Sequence, residues 1–105
     1  MMYRDTNAFL LGGITLAEER MIIKDEIQEV KTRFISFKSN HQRFDLALVH
    51  SEQYQGKTMV IDLSGNRFTI MDKEDAAKEG NLEHEFHLTE VRAEELRRFL
   101  TEVLD

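Results

Sequence analysis

With 105 residues, 41% hydrophobic and 32% charged, the chain has the size and composition of one globular domain, able to bury roughly two-thirds of the surface its unfolded form exposes. It has no cysteine, which excludes a disulfide framework, a thiolate zinc site and a cysteine nucleophile, and suits a reducing cytosol. The net charge of −6 falls entirely in residues 72–105, residues 1–71 being balanced. That distribution argues against a nucleic-acid surface, and no apolar run reaches the roughly 18 residues of a membrane span.

Residues 1–19 read as an N-terminal extension or arm, with Gly12-Gly13 as a break, and as a segment that could be donated to a partner. The apolar patch Ala8, Phe9, Leu10, Leu11 is too short for a signal-peptide core. Residues 15–30 support two readings. Thr15 with Glu18 forms a capping-box pattern, and Leu16, Ile23, Ile27 and Val30 share a helical face. Arg20–Lys24 also reads as a short β run around Met21, Ile22 and Ile23.

Residues 33–71 carry four short alternating runs in the pattern of an antiparallel meander. Arg33–Lys38 places Ile35 and Phe37 on one face and Phe34 and Ser36 on the other, and Ser39, Asn40 and His41 supply a turn. Arg43–His50 sets Phe44, Leu46 and Leu48 against Arg43, Asp45, Ala47 and Val49. Thr58–Leu63 sets Met59, Ile61 and Leu63 against Thr58, Val60 and Asp62, and Arg67–Met71 sets Phe68 and Ile70 against Thr69 and Met71. The Ser64-Gly65-Asn66 link is a tight hairpin signal, with Gly65 the expected carrier of positive φ.

Asp72–Gly80 predicts a short helical turn, with Asp72 as a cap and Gly80 closing its C-terminus. In Asn81–Leu88 the alternation of Leu82, His84, Phe86 and Leu88 predicts a short edge strand. Leu96, Phe99, Leu100, Val103 and Leu104 then form one helical stripe, with Val91 on the same side and Thr89 as N-cap.

Candidate chemistry is sparse. Glu83-His84-Glu85-Phe86-His87 is where metal-ligand types crowd together, yet on a strand His84 and His87 point to opposite faces, and a third ligand such as His41 or His50 would have to come from elsewhere. Asp45 and Asp62 interrupt apolar strands; the simplest expectation is a solvent-facing position opposite Arg33, Arg43 or Arg67. Lys31, Arg33, Lys38 and Arg43, with His41, make residues 31–43 free of acidic groups, but strand alternation divides them between two faces. No serine sits in a nucleophile elbow, and Gly12-Gly13 lacks the rest of a phosphate loop. No catalytic, cofactor-binding or metal residue is assigned.

The stretches Lys31-Thr32-Arg33-Phe34-Ile35-Ser36-Phe37, Gln42-Arg43-Phe44-Asp45-Leu46-Ala47 and Gly56-Lys57-Thr58-Met59-Val60-Ile61-Asp62-Leu63-Ser64-Gly65 continue into Glu94-Glu95-Leu96 and Phe99-Leu100. Over about residues 20–100 the chain resembles a small family of uncharacterised cytosolic proteins from Gram-positive bacteria. The resemblance implies a cytosolic bacterial origin and no assigned activity, and it tilts residues 20–24 toward strand.

The expectation is thus one α+β domain over residues 20–105, a mainly antiparallel four- to five-stranded meander sheet with the C-terminal helix packed on one face. Several strands are apolar on both faces, and one helix covers only one of them. The N-terminal segment or a second subunit must cover the other. This favours a non-enzymatic protein-interaction or regulatory module, a cytoplasmic homodimer with a possible protein partner, no nucleic acid and no membrane. The alternative is a small hydrolase or metal-dependent enzyme using Glu83, His84 and His87 with Asp45 or Asp62.

Overall fold

The computed structural model describes residues 19–105. The expectations for the extension before them, including the Thr15/Glu18 capping box and the Gly12-Gly13 break, lie outside the described residues. Strands β1 (Lys31–Ser39), β2 (Gln42–His50), β3 (Thr58–Asp62) and β4 (Arg67–Met71) form an antiparallel sheet in sequence order. The three helices that follow are α1 (Lys73–Ala77), α2 (Asn81–Phe86) and α3 (Glu90–Val103). The architecture is α+β, as the hydrophobic periods require.

Local chemistry fixes each hairpin. Between the paired Ser39 and Gln42, Asn40 and His41 hold φ of 49° and 65°. Two successive positive φ values match the right-handed twist of the flanking strands, and asparagine tolerates that region better than most residues. In the β3–β4 turn the positive φ belongs to Asn66, at 57°, and not to Gly65. Gly65 is required for a different reason. A Cβ there would stand 2.6 Å from Asp62 Oδ2, whose partner oxygen accepts from the Ser64 N–H at 3.2 Å.

The register shows which face became core. Ile35 pairs with Leu46, Phe37 with Phe44 and Leu48 with Val60. Phe44, Leu46, Leu48, Val60 and Met71 are buried there against Ala93, Leu96, Leu100 and Leu104 of the α3 region. Phe37 stacks between Phe44 and Phe99, with ring centroids 5.0 and 4.3 Å apart. The Arg92 guanidinium lies 4.5 Å above the Phe44 ring and donates to Gln42 Oε1 and to the Arg43 carbonyl. Thr89 caps α3 by accepting from the Arg92 N–H at 3.3 Å. Val91 does not share the buried stripe: it is 63% exposed. It sits in the first turn of α3, and its side chain points away from the sheet.

In place of an edge strand over Asn81–Leu88, Asn81–Phe86 is helical, with His87 as its C-cap. The alternation that suggested a strand contains the pair Leu82 and Phe86 at i, i+4; both are buried, and they anchor one helical face. Gly80, left-handed at φ 81°, opens this helix instead of closing the one before it. Helix α1 ends at a C-cap on Lys78, and its start is a reciprocal capping box in which Asp72 and Asp75 each accept the other's backbone N–H. No fifth strand forms among the described residues. Residues 20–30 are neither helix nor strand, and every side chain among them is exposed.

Candidate interaction surface

Opposite the helices, the sheet presents a second apolar face. The register places Phe34, Ala47, Ile61 and Phe68 in one row across all four strands, and Thr32, Val49, Met59 and Ile70 in the next. Ala47, in the middle, is closed off by its neighbours, whereas Phe34 is 76% and Phe68 61% exposed. No described element lies over this face. At its edge Arg43 Nη2 meets Asp45 Oδ1 at 3.0 Å, and Ser36 Oγ donates to the same carboxylate oxygen at 2.6 Å. The Arg43 and Ser36 hydrogen bonds hold the Asp45 carboxyl below its usual range, and Asp45 in turn raises Arg43.

Asp45 therefore lies on the solvent side as expected, but its cation comes from two residues along the same strand. Asp62 stands opposite Arg67 across β3 and β4 as expected, but its exposure departs from expectation. It is buried on the helix-facing side, across from Leu46, because β3 turns Thr58, Val60 and Asp62 inward and Met59 and Ile61 outward. Its carboxylate is occupied with the turn that follows.

The Glu83/His84/His87 segment assembles no metal cage. Glu83 Oε1 is bound by Arg97 at 2.7 Å, and His84 and His87 are exposed. His87 is the left-handed C-cap residue of α2, so the two imidazoles do not share a regular helical face. Among the described residues no group of three His, Asp or Glu side chains is placed to hold an ion. An open groove of about 730 Å³ runs past Lys31, His50 and Thr58, where Thr58 Oγ1 and His50 Nδ1 approach at 3.5 Å. The basic residues of the acid-free stretch separate as the alternation demands: Lys31 and Arg33 share the side of Leu48, whereas Lys38 and Arg43 lie on the side of Phe34.

Two polar devices were invisible to local sequence reasoning. Glu95, on α3, is buried, accepts from Ser39 Oγ and from Asn40 Nδ2, and so ties the β1–β2 turn to the helix. Those two hydrogen bonds hold its carboxyl below the ordinary glutamate range. Arg97 reaches Glu83, Glu94 and the Ala76 carbonyl, joining α1, α2 and α3. Neither belongs to a local pattern, since each partner set spans separate elements. Lys57 similarly meets Asp75 at 2.9 Å, which lowers the Asp75 carboxyl and raises Lys57.

No helix among the described residues is long and apolar enough to cross a membrane. No curated relative matches the chain. The family model described as SAV0927-like matches residues 23–102, which takes in the whole sheet and nearly all of α3. The chain belongs to the SAV0927-like family.

Proposed function

We propose that this chain is a non-enzymatic protein-interaction or regulatory module of the Gram-positive bacterial cytosol, working as a homodimer. The observation that carries the interaction reading is the apolar sheet face over which no described element lies. Phe34 and Phe68 flank an apolar row that crosses the whole sheet on the side away from the helices. Exposed contiguous apolar surface of this kind characterises interaction sites. The polar groups of the molecule support the same reading, because Asp45, Asp75, Glu83, Glu95 and Arg97 are each engaged in a structural hydrogen bond or ion pair.

Light scattering coupled to size-exclusion chromatography tests the proposal. A dimer at micromolar concentration is expected; a monomer throughout that range refutes the homodimer. A His84→Ala, His87→Ala double variant tests the metalloenzyme alternative. Zinc that co-purifies with the wild-type chain and is lost from the variant would revive it.

A further inference from the structure

The segment before β1 is as unusual as the open sheet face. Residues 21–29 include Met21, Ile22, Ile23 and Ile27, and Ile23 and Ile27 are 92% and 97% exposed. Ser51 Oγ donates to Gln28 Oε1 at 3.0 Å, fixing the C-terminal end of the segment beside the residue that follows β2. The segment contains no glycine, proline, asparagine or serine between Met21 and the start of β1, and Asp25 is its single turn-forming residue, so little in it favours a tight reversal onto its own sheet. β1, for its part, is an edge strand, and no described element lies along its outer side.

Charge and length match these two features to each other. β1 carries Lys31, Arg33 and Lys38 and no acidic residue, while residues 21–29 carry Asp25, Glu26 and Glu29 against Lys24 alone. Nine residues of arm correspond to the nine residues of the strand. On the helix side of β1, Phe37 is only partly buried, so an apolar arm residue beside it would complete its cover.

We infer that residues 21–29 of one copy add as an antiparallel strand to the outer edge of β1 in a second copy, and reciprocally, about a two-fold axis near Val30. This rests on the homodimer reading and specifies how the dimer forms. An isologous edge pairing satisfies both copies at once. With the axis near Val30, Glu29 lies across from Lys31 of the second copy and Ile23 across from its Phe37. Both sheets join into one, and the helix-free faces remain open on the same side for a further protein partner.

The test uses the full chain, which has no cysteine of its own. An Ile22→Pro, Glu26→Pro variant removes two ladder donors from the arm, since the backbone N–H groups of the even-numbered residues of β1 and of an arm in register with it face the second copy, without touching the described core. Its apparent mass is expected to fall from twice the chain mass to 12.4 kDa, with an unchanged circular-dichroism spectrum. Single Val30→Cys is expected to form a covalent dimer under mild oxidation, and Phe68→Cys, on the far edge strand, is not. A proline variant that stays dimeric, together with no Val30→Cys cross-link, overturns the arm exchange and leaves the homodimer standing on another surface. A monomeric wild-type chain overturns both.

Discussion

Asn40 Nδ2 donates to Glu95 Oε2 at 2.9 Å across 55 residues of chain, so the first hairpin turn and the last helix are held by one carboxylate. Ser39 Oγ supplies the second donor, and Arg98 Nη1 lies 3.9 Å away on the same helix. Because these bonds favour the ionised form, the folded-state pKa of Glu95 is depressed relative to the unfolded chain. The stabilisation is then complete above the unfolded pKa and disappears as pH falls through the folded one. The melting temperature should decline on acidification below the ordinary glutamate range, and Glu95→Gln should flatten that decline. Asp45 and Asp75 titrate in the same direction and remain in the variant, so the difference between the two curves isolates Glu95. Superimposable curves would show that the carboxylate is not coupled to folding.

Phe34 and Phe37 lie on one strand and differ in burial because of strand parity. Phe37 sits between Phe44 and Phe99 on the helix side; Phe34 projects into solvent beside Ala47. Phe37→Ala should cost about 3 kcal/mol through lost transfer energy and a cavity among aromatic rings. Phe34→Ala should change the stability of the isolated subunit by only about 0.5 kcal/mol. Urea denaturation of both variants at low protein concentration decides the point. Equal costs would mean that something covers Phe34 within the subunit.

What could be read from the sequence follows the range of each signal. The four strands, the Asp72 and Thr89 caps and the apolar stripe of α3 are written in residues a few positions apart, and each took its expected place. The Leu82–Leu88 run failed because a period of two and a spacing of four coincide at Leu82 and Phe86. A helix and a strand explain that pair equally well until β4 and α3 supply the packing surface. Asp62 was misplaced for a related reason. Both faces of β3 are apolar apart from one carboxylate, and only its pairing with β2 shows which face meets the helix. Residues 15–30 suit a helix and Arg20–Lys24 a strand because their apolar residues fit both periods; among the described residues, nothing buries the side chains of residues 20–30.

Gly65 and Asp62 form a coupled pair. A methyl group at Gly65 would meet Asp62 Oδ2 at 2.6 Å, and the carboxylate is not free to retreat, since it is buried and its other oxygen accepts from Ser64 N. Gly65→Ala should therefore destabilise by about 1 kcal/mol. In an Asp62→Ala background the obstacle is gone, and the same Gly65→Ala change should cost much less. Thermal denaturation of the four chains gives the coupling directly. Strict additivity would place the glycine requirement in the backbone instead of in the carboxylate.

Arg97 gives the sharpest test of how the three helices are held together. Its guanidinium bonds Glu83 and Glu94 at 2.7 Å each and the Ala76 carbonyl at 3.2 Å, and its side chain is only 15% exposed. Charge-assisted bonds in a partly enclosed site contribute more than surface ion pairs, and removing one partner leaves the others unpaired. Arg97→Met keeps most of the aliphatic volume and removes the charge, so it should destabilise by about 2 kcal/mol. Glu83→Gln alone removes the charge from one of the three contacts while keeping an acceptor oxygen, and should cost less. If the arginine acts through Glu83, the double variant should be more stable than the sum of the single losses predicts. Hydrogen exchange would then show the loss in α1 and α2 first, because α3 keeps its own packing through Leu96 and Leu100. Uniform loss of protection across the sheet and all three helices would instead mean that the helices unfold only with the whole domain.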